Sequence, residues 1–132
     1  MVRATLFNVL AAVVLTSAIG CGSGTPLQVT NIQLGRSLNP DRTVAKHTAL
    51  FKPGDTVYVS VLTAERGSGT IGVRWTYGGR VVDQPEKEVS YRNAAATEFR
   101  LQAPGAFPEG DYAVEVFVNG ESVGRRAFRI DS

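Results

Sequence analysis

From residue 27 onward, apolar and polar positions alternate with a period of two, and no stretch sustains the 3.6-residue period of an amphipathic helix. Residues 27–34 alternate weakly and predict a first strand. Residues 35–46 read as a polar loop, and 48–51 as a short piece of edge strand. Residues 56–63 alternate cleanly, with Val57, Val59 and Val61 on one face. Residues 70–77 repeat the pattern: Ile71, Val73, Trp75 and Tyr77 share one face, Arg74 and Thr76 the other. Further strands are predicted over 80–83, 86–91, 97–102, 111–118 and 121–130. Phe99 and Leu101 point inward in the third of these.

Turn chemistry separates the segments. Lys52-Pro53-Gly54-Asp55 predicts a type II turn, with proline presetting φ and glycine accepting a positive φ. Residues 66–69 punctuate, with Gly67-Ser68-Gly69 read as a link between strands. Gly78-Gly79 and Asn119-Gly120 are two-residue hairpin signals, and Gln84-Pro85 breaks a strand. The result is an all-β fold, a sandwich or barrel of seven or eight short antiparallel strands. The spacing leaves no room for the crossover helices of a parallel sheet. In the last hairpin, simple alternation from Asn119-Gly120 turns Val123 inward and Phe128 and Ile130 outward. One extra residue near Gly124-Arg125-Arg126 restores both large side chains to the core, so a β-bulge is expected there.

The N-terminus has a different grammar. Arg3 precedes an almost wholly apolar run over 6–15, and small residues follow. That is the layout of a secretory signal peptide, with an apolar run shorter than the roughly 20 residues that span a bilayer. Ala18-Ile19-Gly20-Cys21 resembles the lipobox of bacterial lipoproteins. The resemblance implies a leader over 1–20 cut after Gly20 and a diacylglycerol on the thiol of Cys21. Ala18 stands where that family prefers leucine. An ordinary leader cut at the same small residues is the rival reading, and it leaves a free thiol. Two or three acyl chains hold durably where one holds marginally. Gly22 stands where an aspartate commonly signals inner-membrane retention, which favours the periplasmic face of an outer membrane. Residues 21–26 then form the lipidated cysteine and a flexible tether reaching on the order of 12 Å, before a single domain over 27–132.

Composition bounds the rest. The 132 residues carry a net charge of +2, and setting Arg3 aside with the leader leaves +1. This is no electrostatic footprint for nucleic acid. One cysteine closes no intrachain disulfide, so the fold rests on apolar burial.

Phe107-Pro108-Glu109-Gly110-Asp111-Tyr112-Ala113-Val114 resembles the E–F corner of immunoglobulin-like and fibronectin-like sandwiches. The resemblance implies that Tyr112 is the corner tyrosine, bonded back to the chain upstream, and that Trp75 is the strand C tryptophan. Val114 and Val59 stand where antibody domains have their two cysteines. Pro108 replaces the expected acidic residue. Trp75 and Tyr112 read as core residues with one satisfied polar tip each.

Catalytic chemistry finds little support. His47 is the only histidine; it lies in a polar loop, and a nucleophile-base-acid arrangement would need it with Asp41 or Asp55. One histidine and one cysteine make no closed zinc sphere. Glu86 and Glu88 share a strand face around Lys87 and read as solvated rather than as a glycosidase pair. Asn39, Asp41, Asp55 and Asp83 do not form a calcium loop. Neither a metal nor a cofactor is expected, and the protein is expected not to be an enzyme.

Surface residues are more suggestive. Arg125, Arg126 and Arg129, with Arg74 and Arg100, read as a charged edge that discourages sheet-to-sheet pairing. Phe117 alternates away from Val116 and Val118, so it points outward beside Arg74 if the sheet order is C-F-G. An exposed aromatic flanked by arginine has a contact composition; cover by the N-terminal segment or a loop is the alternative. The expected function is a lipid-anchored, non-catalytic envelope module that contacts a protein or polymer through that face. A small periplasmic inhibitor or chaperone-like protein, acting through loops 103–109 and 64–70, is the alternative.

Overall fold

The structure is a computed structural model that describes residues 24–132. The leader, Gly20 and Cys21 lie outside the described residues. Nine strands follow one another: β1 (Gln28–Gly35), β2 (Leu50–Phe51), β3 (Val57–Ala64), β4 (Gly67–Tyr77), β5 (Arg80–Asp83), β6 (Glu86–Tyr91), β7 (Ala95–Leu101), β8 (Gly110–Val118) and β9 (Glu121–Ile130). Among the described residues no helix is long and apolar enough to cross a membrane.

Two sheets face each other. The smaller has the order β1-β3-β7, and the larger β2-β9-β8-β4-β5, with β6 also paired to β4. All neighbours are antiparallel except β2 and β9. Strands β4, β8 and β9 thus lie side by side in the expected C-F-G order. Strands β5 and β6 run along one edge of β4, and the carbonyl of Pro85 between them still accepts the Val73 N–H at 3.0 Å.

Alternation dictates the core. Val57, Val59 and Val61 of the smaller sheet, and Ile71, Val73, Trp75, Val114, Val116, Phe128 and Ile130 of the larger, are buried together. Each fully buried side chain of this size contributes roughly 1.5–3 kcal/mol. Val59 and Val114 lie on opposite sheets and are both fully buried in the shared core. Trp75 and Phe128 meet edge to face at 6.1 Å. Trp75 departs from the expectation of a satisfied tip, because its buried Nε1 has no hydrogen-bond partner among the described residues.

Both hairpin turns have positive φ at each central residue, at Gly78 and Gly79 and at Asn119 and Gly120, the type I′ geometry that matches strand twist. The turn at Lys52-Pro53-Gly54-Asp55 exists, with the Asp55 N–H donating to the Lys52 carbonyl at 2.9 Å. It is not type II, because Gly54 is not among the residues with positive φ. The Asp55 carboxylate closes it instead by accepting the Lys52 N–H at 2.8 Å.

The last hairpin contains its bulge at the residue just before the Gly124-Arg125-Arg126 stretch. Val116 pairs with Gly124 and Phe117 with Ser122, so Val123 is the extra residue. Val123 is 44% exposed while Phe128 and Ile130 turn inward. Gly124 sits where β9 packs against β1 of the other sheet: a Cβ there would lie 2.6 Å from Ile32 Cδ1.

Two more stretches differ from the sequence reading, residues 67–69 and the end of the tether, while the loop over 35–46 is a loop as expected. Gly67-Ser68-Gly69 belongs to β4 and pairs with β6. It is glycine-rich because residues 25–27 cross over it; a Cβ on Gly67 would lie 2.8 Å from the Pro26 carbonyl oxygen. The Ser68 N–H donates to Thr25 at 2.9 Å, so the last two tether residues are fastened to the domain. The loop over 35–46 folds back on itself through a Leu38–Val44 bridge. It lies against β3, where the buried Ser60 hydroxyl donates to the Arg42 carbonyl at 2.8 Å.

Candidate functional site

Strands β4 and β8 place Arg74 opposite Glu115 and Gly72 opposite Phe117. Their alternate neighbours Val73, Trp75, Val114 and Val116 are buried, so Arg74, Glu115 and Phe117 project from the outer face of the larger sheet. Gly72 has no side chain to fill the space across from Phe117. The Arg74 guanidinium lies over the ring, 4.6 Å from its centroid. Such an exposed cation–π contact is worth about 0.5–1 kcal/mol. Arg74 therefore covers one face of the Phe117 ring.

Glu115 orients the arginine. Its Oε1 lies 3.7 Å from Arg74 Nη1, and its Oε2 accepts the Ser122 hydroxyl at 2.6 Å. Both charged side chains are about one-third exposed, so the pair contributes at most about 1 kcal/mol. Its effect is to hold the guanidinium in place. Gln84, Pro85 and Glu86 form the far wall of a groove of about 210 Å³ whose floor includes Arg74 and Phe117. Thr70 and Gly120 close one end, the end at which Thr25 and Pro26 reach β4. The sequence reading found Arg74 and Phe117 but not this wall, because nothing in Gln84-Pro85 shows that the strand break folds back beside Gly72.

The corner residues are bound as the resemblance implied. The Tyr112 hydroxyl donates to the Pro108 carbonyl at 2.6 Å. Burial, and then the neighbouring Tyr77, hold its phenol above the ordinary value. Tyr77 adds a second bond, donating to the Glu109 carbonyl at 3.0 Å, and the two rings stack at 4.6 Å. That second tyrosine was read only as a core-facing position.

The residues weighed for chemistry are engaged elsewhere or exposed. His47 bridges to Gly35. Asp41 accepts the Thr43 hydroxyl at 2.6 Å and its N–H at 3.0 Å, bonds that lower its carboxyl below the ordinary value. Asp55 closes its turn and faces Arg36 at 3.5 Å. Among the described residues no cluster of three histidine, cysteine or acidic side chains gathers at metal-binding distance. Glu86 and Glu88 are exposed on β6. Lys87 between them reaches β7 of the other sheet, donating to the Glu98 carbonyl at 2.6 Å and lying 4.9 Å from the Phe99 ring centroid.

The arginines separate by partner. Arg129 bonds Asp111 at 2.8 Å and Asp131 at 3.0 Å, which raises its pKa. Arg100 faces Glu98 at 3.5 Å. Arg125 and Arg126 make no ion pair among the described residues. Both candidate loops are reduced. Residues 67–70 are strand. In the other, Phe107 is buried against Tyr112, and its N–H donates to Pro53 at 2.9 Å.

No family model matches the chain, and no curated protein matches it in sequence. Solved structures resemble it in fold. An immunoglobulin-like protein from Pseudomonas aeruginosa superposes with a TM-score of 0.56 at 13% identity, covering 81% of this chain and 98% of that one. An alkylpurine DNA glycosylase from Pseudomonas fluorescens, bound to DNA containing an abasic site analogue, gives a TM-score of 0.52 at 14% identity. The match covers 88% of this chain but only 33% of the glycosylase, so the chain spans about a third of that enzyme's length. The domain is an immunoglobulin-like β-sandwich.

Proposed function

We propose that the protein is a lipid-anchored, non-catalytic module of the bacterial cell envelope that binds a protein or polymer through the outer face of its larger sheet. The observation that carries this reading is the guanidinium of Arg74 held 4.6 Å over the half-buried ring of Phe117, on the floor of the groove walled by Gln84, Pro85 and Glu86. An aromatic and an arginine, oriented before contact, lose little entropy on binding. The signal-peptide layout and the lipobox-like run ending in Cys21 support the anchor, on the periplasmic face of the outer membrane. Cys21 precedes Thr25 by four residues, a span of at most about 14 Å. The Thr70–Gly120 end of the groove is the end of the sandwich that Thr25 joins, so the anchor would hold the groove close to the membrane surface.

Two measurements test the proposal. Mass spectrometry of the mature N-terminus is expected to find acyl mass on Cys21, and an unmodified thiol on material from the aqueous fraction refutes the anchor. Phe117→Ala with Arg74→Ala is expected to abolish co-purification of a cross-linked envelope component and to leave the melting temperature within a few degrees of the parent. Retained capture by the double variant refutes the face.

A further inference from the structure

The two open sides of the sandwich are finished differently. On one side Lys87 of β6 covers the free edge of β7, donating to the Glu98 carbonyl at 2.6 Å, and Tyr91 shares a 2.6 Å hydrogen bond with Thr97. On the other side β9 faces β1, and β2 covers only its end. Arg129 N–H donates to Ala49, and Asp131 N–H to Phe51, at 2.9 and 3.0 Å. Upstream of Ala49 the chain leaves β9 for β1: Thr48 N–H donates to Leu34 at 3.1 Å, and His47 bridges to Gly35.

That departure vacates the edge. Arg129 points its backbone groups away from β8, so Ala127, two residues earlier, points its N–H and C=O the same way. Ala127 is exposed, and neither group has a partner on that side among the described residues. Beside it lies a slot of about 420 Å³ between the sheet edges, lined by Ile32, Leu34, His47, Arg126 and Ala127 among others and by no acidic residue. Arg126 spans its mouth, with Nε donating to the Ile32 carbonyl at 3.2 Å and Nη1 to the Arg125 carbonyl at 3.0 Å.

We propose that this edge accepts an extended acidic segment of a partner protein as an added strand, continuing the line of β2 past Ala127. Backbone bonds to Ala127 supply affinity, and the pleat sets the sequence. Partner side chains on the slot face lie over the apolar stem of Arg126, whose guanidinium is occupied by the Ile32 and Arg125 carbonyls, and over the rim of the buried Ile32 and Leu34, and should be apolar. Those on the outer face meet Arg125, which lacks an ion pair among the described residues because Glu115 turns to Arg74 and Ser122. The strand that fits alternates apolar and acidic residues. A second copy of this edge is disfavoured, since self-pairing brings Arg125 and Arg126 against their own kind. The Ala127 edge lies beyond the Arg74–Phe117 groove and shares the outer face with it through Arg125, which stands opposite Glu115; its test reads β9 amides and does not depend on that reading.

The experiment is amide exchange on the full chain with two acetylated, amidated octapeptides, one of alternating valine and glutamate and one of alternating valine and lysine. The glutamate peptide is expected to slow exchange at Ala127 and Arg125, and the lysine peptide to leave both unchanged. Arg125→Glu is expected to weaken the glutamate peptide about tenfold and to admit the lysine peptide, as charge reversal at one exposed position allows. Ala127→Pro removes the outward donor without touching the β8 ladder and is expected to abolish binding. Equal protection by both peptides, protection at β5 or β7 instead of β9, or no protection by either overturns the proposal.

Discussion

The Tyr112 hydroxyl donates a 2.6 Å hydrogen bond to the carbonyl of Pro108, four residues upstream. It fixes the loop over 102–109 at the point where the chain enters β8. Tyr112→Phe keeps the ring, which stacks on Phe128 at 5.3 Å, and removes only this bond. The expected loss is about 0.5–1.5 kcal/mol, read from the urea midpoint with an unchanged slope. A loss near zero would show that the corner is held by packing alone.

The same hydroxyl gives a pH dependence. Burial raises the Tyr112 phenol in the folded protein above its unfolded value of about 10. Between those two values the unfolded chain has released the proton and the folded one retains it. Stability from this group is therefore complete below about pH 10 and falls as pH rises through the folded value. Thermal unfolding from pH 9 to 11 is expected to decline more steeply in the parent than in Tyr112→Phe. Parallel declines would remove Tyr112 as a cause.

Gly124 and Ile32 are coupled through space. A Cβ at Gly124 would lie 2.6 Å from Ile32 Cδ1, and that methyl is the movable end of a side chain. Gly124→Ala is expected to destabilise by about 1 kcal/mol. Ile32→Val removes the conflicting methyl, so the double variant should be more stable than the sum of the single changes. Simple additivity in this cycle would contradict the contact.

Trp75 is the single tryptophan of the chain and is fully buried. Its emission is expected to be blue-shifted, insensitive to acrylamide, and to move red on unfolding. Its Nε1, without a partner among the described residues, costs on the order of 1–3 kcal/mol, which offsets part of the cavity left by a smaller ring. Trp75→Phe is expected to cost less than about 2 kcal/mol, against 3–5 kcal/mol for Trp75→Ala. A cost for Trp75→Phe well above about 2 kcal/mol would contradict an unpartnered indole N–H.

Strands were legible wherever alternation was strict, as in Val57-Tyr58-Val59-Ser60-Val61. The bulge was legible because Phe128 and Ile130 could not both be left outside. Its placement at Val123 was not, since that depends on Gly124 meeting Ile32, which is distant in sequence. Gly67-Ser68-Gly69 read as a linker because glycine weakens strand propensity; here it makes room for Pro26, a contact local sequence does not carry. The turn at Gly54 took its type from the Asp55 carboxylate rather than from glycine's freedom. At the candidate site, outward alternation marked Phe117 and Arg74. The groove wall at Gln84-Pro85-Glu86 and the empty edge at Ala127 arise from where strands pair and part, and only the fold displays them.

The most direct measurement is site-specific photo-crosslinking in intact cells. A photoreactive residue replaces Gln84, in the groove wall, or Arg100, on the smaller sheet. The account expects a defined envelope adduct from position 84 that disappears when Phe117→Ala is added, and none from position 100. An adduct from position 100 alone, or one from position 84 that is indifferent to Phe117, would contradict it.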